Sequence, residues 1–169
     1  MKFIFSWFIG IGLVWGIEIA KVPQTVELSG ESGGKIDGSA WHSDTLRGKV
    51  HIVFYVDPDK KDLNNALSEA LKARHFDRKK YGSVAIINLA ATWMPNFAIE
   101  SKLKEKQKKF PDTLYVKDKK KVLVHAWKLE DDNSDILIFD KQGKLIYQKF
   151  GKVMEEEIHK VLQLIEKHL

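Results

Sequence analysis

Two uninterrupted apolar runs, Val50 to Val56 and Val84 to Leu89, separated by one amphipathic stretch, limit what this chain can fold into more than any other feature. The first run is rich in β-branched and aromatic residues and is bounded by Gly48 and by Asp57-Pro58. Such a run reads as a strand buried on both faces. Between the runs, Leu63, Ala66, Leu67, Ala70 and Leu71 recur at three- and four-residue steps, which gives one apolar stripe of a helix. Asp57 is placed to cap that helix, with Pro58 in its first position. A strand-helix-strand unit pairs its strands in parallel through a right-handed crossover. The expectation is therefore an α/β domain with the first run central in the sheet.

The flanking sequence extends this unit. A second helix is expected from Asn96 to Lys108, with Ile99 and Leu103 on one side, lysines on the other and Pro111 ending it. The last third reads as two hairpins. One joins Thr113–Val116 to Val122–Ala126, and the other joins Ile136–Phe139 to Leu145–Phe150 around Asp140-Lys141-Gln142-Gly143. A closing helix presents Met154, Ile158, Val161, Leu162 and Ile165 on one face, with Glu155 to Glu157 in its first turn, as the helix dipole favours. With 169 residues, 44% of them hydrophobic, there is material for one core. The domain is expected over residues 49–169, after a lead-in strand and loops over 17–48. The lead-in glycines lack the Lys-Ser/Thr that follows a phosphate-binding loop.

The start of the chain has the order of a signal peptide: Met1-Lys2, then an apolar run from Phe3 to Ile17. The run is about 15 residues, short of the roughly 20 that a membrane span needs. Cleavage is expected after Gly16, or as late as Ala20. No cysteine follows, so a lipid-modified cysteine is excluded. The absence of cysteine from the whole chain also removes disulfides, thiolate metal sites and cysteine nucleophiles together.

Strand, helix, strand, helix, hairpin and final helix is the element order of a thioredoxin-like fold, three layers with a central mixed sheet flanked by helices. Particular segments go further: Trp41 to Val50, Asp77-Arg78 with Tyr81, and Ala126 to Asp131 leading to Ser134 to Gly143. Together they resemble the YtfJ family of small exported bacterial proteins, and the resemblance covers about Trp41 to Leu169. It implies a thioredoxin-like fold and a periplasmic location. Thioredoxins place Cys-x-x-Cys at the start of the first core helix, where the dipole stabilises a thiolate. The equivalent stretch here is Asp57-Pro58-Asp59-Lys60, and a carboxylate cannot exchange disulfides. The proline that faces the redox pair in that fold is replaced near Ser134-Asp135.

The expected function is therefore non-catalytic binding of a protein or peptide partner at the altered redox position. The residues are Asp57, Pro58, Asp59, Trp93, Pro95, Trp127, Ser134 and Asp135, with no cofactor and no metal. Trp93, Met94, Pro95 and Phe97 form an apolar loop that serves either core packing or docking, and Trp127 carries the same two readings. The alternative is a metal- or cofactor-dependent enzyme using Asp57, Asp59 and Asp62, whose carboxylates lie close enough in sequence for a hard cation. The bland counterpart is an acidic helix start. His42, His51, His75, His125, His159 and His168 lack ligand spacing. The net charge of +5 lacks the clustered, groove-reading pattern of a nucleic-acid binder. The lysine run Lys102 to Lys109 is a solvated helix face that could make weak contact with an anionic surface.

Overall fold

The computed structural model describes residues 17–169. The expected signal peptide, 1–16, lies outside the described residues. In chain order the elements are β1 (Glu27–Leu28), β2 (Gly33–Lys35), β3 (Trp41–His42), β4 (Val50–Val56), α1 (Asn65–Ala73), β5 (Tyr81–Asn88), α2 (Asn96–Lys109), β6 (Thr113–Asp118), α3 (Val122–Trp127), β7 (Ser134–Phe139), β8 (Leu145–Phe150) and α4 (Glu155–His168).

The runs that dominate the sequence form the centre of a six-stranded sheet ordered β2-β6-β5-β4-β7-β8. β4 pairs in parallel with β5, and β5 with β6. β7 lies antiparallel to β4 on its other side, and β8 antiparallel to β7. Both parallel crossovers carry their helices to one face, where α1 and α4 cover Ile52, Ile136 and Ile138. α2 covers Tyr115 further along the same face. The other face buries Val53, Tyr55, Val84, Ile86, Val116 and Leu137 under Leu123 and Trp127 of α3 and under Val26, Leu28 and Trp41.

Three local expectations are corrected. The hairpin from Thr113 to Ala126 does not form: Thr113–Asp118 is an inner strand, and Val122–Trp127 is a short helix. The helix expected directly after Asp57 begins only at Asn65. Pro58–Lys60 is a separate 3-10 turn, and the Asp57 side chain makes no capping bond to it. Finally, β5 is sealed on one face only. Val84 and Ile86 are buried, while Ser83, Ala85 and Ile87 are half-buried.

The lead-in belongs to the same core. Leu28 and Trp41 are fully buried, and β2 pairs antiparallel with the outer edge of β6. That close approach requires glycine: a Cβ on Gly33, whose φ is +139°, would stand 1.9 Å from the Lys117 carbonyl oxygen. The β7–β8 turn is as read from sequence, with Asp140 Oδ1 accepting from the Gln142 and Lys144 amides at 2.9 Å.

Candidate functional site

The polar residues of the core gather at one edge of the sheet. Asp57 directly follows β4, Asn88 ends β5 and Asp118 ends β6, all at the carboxyl ends of parallel strands, while Ser134 and Asp135 open β7 opposite Val56 and Tyr55. Strand periodicity puts Tyr55, Asp57, Asn88, Asp118 and Asp135 on one face, because each lies two or four residues from a side chain of the core beneath α3. The carboxyl edge of an open α/β sheet is where such folds place ligand sites.

These groups are sealed: Asp57, Asn88, Asp118 and Asp135 show 0% exposure and Ser134 2%. Asp118 is well satisfied. Its Oδ2 accepts from the Tyr55 hydroxyl at 3.1 Å and the Leu123 amide at 3.0 Å. Its Oδ1 accepts from the Lys120 amide at 3.1 Å and the Val122 amide at 3.0 Å, which anchors the first turn of α3. Asn64, just ahead of α1, ties that helix to the start of β7. Its Nδ2 donates to the Ser134 Oγ at 3.0 Å, and its Oδ1 accepts from the Val153 amide at 2.8 Å.

Asp57 and Asp135 are not satisfied in this way. Neither Asp57 oxygen has a hydrogen-bond partner among the described residues. Asp135 Oδ2 accepts from the Glu130 amide at 2.8 Å, while Oδ1 has none. Burial pushes the Asp57 carboxyl up to about 6, with the charge of Asp131 adding to the rise and the neighbouring Asn88 amide opposing it in part. Burial pushes Asp135 up to about 7, with Glu130 and Asp57 contributing repulsion. Two carboxyls in a low-dielectric site that repel one another favour their neutral, protonated forms. Chemically they can take up and hold protons. They cannot attack a disulfide.

The sequence-derived residues thus divide. Asp57, Ser134 and Asp135 come together, but beneath the surface. Trp127 is 1% exposed and donates its indole N–H to the Gln24 carbonyl at 2.8 Å, so of its two readings core packing holds and docking does not. Asp59 is exposed and Pro58 half-buried on the turn above. Over residues 93–97, the loop before α2 and the start of that helix, the readings separate residue by residue. Met94 packs against the cluster of Leu89 and Ile99, while Trp93 is 90% and Phe97 77% exposed and Pro95 is exposed between them. The acidic loop does not converge as a cation site would, since Asp57 points into the core while Asp59 and Asp62 face solvent. Among the described residues no group of three or more His, Asp or Glu side chains is placed to hold a metal ion. Asn88, Asp118 and Tyr55 were missed in the sequence. The signal for Asp118 was its position two residues beyond Val116 on the buried face.

Comparison with known proteins agrees with this fold. The family described as "Bacterial protein of unknown function (YtfJ_HI0045)" matches residues 17–168. Protein YtfJ of Escherichia coli K12 is 28% identical over 132 residues, 76% of this chain and 72% of that protein. A Haemophilus influenzae protein is 30% identical over 131 residues, 74% of this chain and 70% of that protein. Among solved structures, a putative protein disulfide isomerase from Bacteroides thetaiotaomicron superposes with a TM-score of 0.64 at 16% identity, covering 90% of this chain and 91% of that one. The lipoprotein thioredoxin Etrx1 of Streptococcus pneumoniae does so with 0.60 at 15%, covering 85% and 99%. The fold is therefore thioredoxin-like, and with no cysteine in the chain it fits a non-catalytic protein of that class. By the match across nearly its whole described length, this chain belongs to the YtfJ_HI0045 family.

Proposed function

We propose that this protein is exported to the periplasm and works there as a non-redox thioredoxin-like module that binds a protein or peptide partner at the carboxyl edge of its sheet. The observation that carries the reading is the pair Trp93, on the loop that enters α2, and Phe97, in the first turn of that helix, both large aromatics held in solvent. Exposed aromatics of this size dominate protein contacts, and here they sit at the edge where the fold places its ligands. Asp57, Ser134 and Asp135 lie too deep to touch a partner and shape the base of that edge.

Trp93→Ala is expected to leave stability within about 0.5 kcal/mol, as for an exposed side chain. It should weaken partner binding by at least about 2 kcal/mol, some thirtyfold. A pull-down from periplasmic extract, with the captured protein identified, purified and titrated calorimetrically, checks this. Equal affinity of the variant and the unchanged protein would remove the docking surface from this loop.

Export is supported by the Met1-Lys2 and apolar order at the N-terminus. It is also supported by the buried position of Ile17, whose amide donates to the Trp127 carbonyl at 3.2 Å, which suits cleavage after Gly16. N-terminal sequencing of the protein from the periplasmic fraction is expected to begin at Ile17. Recovery of the whole protein in the cytosol with Met1 intact would refute export.

A further inference from the structure

On the sheet face opposite the carboxyl cluster, α1 and α2 leave a groove of about 640 Å³ between them. That volume falls within the roughly 300–1,000 Å³ of small-molecule sites. Its floor is apolar and lies at mid-sheet: Phe54 and Val56 of β4, Ala85 and Ile87 of β5, and Tyr115 of β6. This is the half-open face of β5, where Ala85 and Ile87 lack the cover that Val84 and Ile86 have on the other side.

One end of the groove is cationic. Each crossover helix starts at the carboxyl edge of the strands and runs back, so the ends of α1 and α2 meet at the amino edge. There Lys72 of α1 and Lys109 of α2 stand over the same ring, Phe110, with Nζ 5.8 Å and 5.4 Å from its centroid. Lys106 lines the same groove. Arg78 is engaged by Asp112 at 2.9 Å, whereas no ion pair forms at Lys72, Lys106 or Lys109 among the described residues. By contrast, Lys117 and Lys119 share the Glu100 carboxylate, and Lys121 pairs with Asp131.

The occupant follows from what the groove offers. The backbone of β5 is committed to β4 and β6, so an extended peptide finds no free strand edge to pair with. What remains is apolar contact over about 13 Å from Ser83 to Ile87, at about 3.3 Å per residue, ending where, among the described residues, three unpaired lysines outnumber the one unpaired carboxylate of the lining, Glu69. The groove is recessed between two helices, so a chain must leave a bilayer to lie in it. We propose that the groove binds a single long-chain carboxylate, its head among Lys72, Lys106 and Lys109 and its hydrocarbon over Phe54, Ala85 and Ile87.

The test is displacement of a fluorescent dansyl-undecanoate probe from the purified protein by laurate and palmitate, each below its micelle-forming concentration. Saturable binding is expected, with hexadecanol at least about tenfold weaker, a loss of about 1.4 kcal/mol. Lys72→Glu with Lys109→Glu should weaken palmitate by about tenfold or more, and Ala85→Trp, which fills the floor, should abolish uptake. Amide shifts in the unchanged protein are expected at Ala85, Ile87 and Phe110, so the assignment survives a variant that fails to fold. The proposal is overturned by absence of saturable binding, by equal uptake of hexadecyltrimethylammonium, or by binding to anionic vesicles without uptake of the free acid. A response to acidic peptide alone, or shifts centred on Trp93 and Phe97, would also overturn it.

Discussion

Asp118→Ala is expected to lower the unfolding free energy by about 3–5 kcal/mol, because it leaves four donors, two of them buried, without their acceptor. The carboxylate is fully enclosed and accepts from the Tyr55 hydroxyl and from the amides of Lys120, Val122 and Leu123. A buried donor left unpaired costs roughly 1–3 kcal/mol, and part of that is recovered where the first turn of α3 can reach water. Tyr55→Phe removes a single donor and should cost only about 1 kcal/mol. In the double variant, the Tyr55 change should cost less than it does alone, since its partner is already gone. Urea denaturation of the four proteins gives the cycle. A loss below about 1 kcal/mol for Asp118→Ala would mean that α3 does not depend on this carboxylate.

The second large effect is a dependence of stability on pH. Asp57 and Asp135 have ordinary carboxyl values of 3.8 when unfolded and are raised to about 6 and about 7 in the fold. Between those limits the folded chain binds more protons than the unfolded one, so stability falls as pH rises. Their contribution is fully present below about pH 4 and gone above about pH 8. The paired carboxylates of Glu100 and Asp131 are lowered instead, and their contribution is lost as pH falls. Burial also lowers the His51 imidazole, which adds to the loss as pH falls, so the two trends oppose one another across the acidic range. Each tenfold change in proton affinity is about 1.4 kcal/mol, which makes the Asp135 share up to roughly 4 kcal/mol. Asp135→Asn keeps an acceptor for the Glu130 amide and removes the charge. It is expected to raise the melting temperature at about pH 8 and to flatten the profile between about pH 5 and pH 8. A variant that melts lower than the unchanged protein at both pH values would show that the carboxyl is not strained by ionisation.

What the sequence disclosed and what it withheld follow from the range of the forces involved. β4 and α4 were legible because burial on both faces and an apolar stripe are written directly into residue spacing. α3 was misread as a strand because Val122 and Val124 favour that state locally. The helix is imposed by the Asp118 carboxylate and closed by Lys121 and Lys128 in left-handed conformations. Asp57 looked like a helix cap because aspartate before proline usually is one. The competing signal was the alternation Val53, Tyr55, Asp57, which carries it into the core. Trp93 and Trp127 have the same side chain and opposite exposures, a difference set by long-range packing that residue type alone does not encode. The groove depends on the separation of two helices, which no spacing within either helix specifies.

The lead-in strands have a further consequence for the solubility of the molecule. β2 covers the outer backbone of β6, and Ala20 and Lys21 exchange amide bonds with Leu145 at the margin of β8. A chain starting at residue 49 would retain every central strand yet bare the outer backbone of β6 and lose the two bonds that cover Leu145 at the start of β8. Such margins recruit strands from other molecules. Residues 17–48 therefore act as a seal against self-association, and their loss would show first as oligomers and precipitate rather than as missing secondary structure.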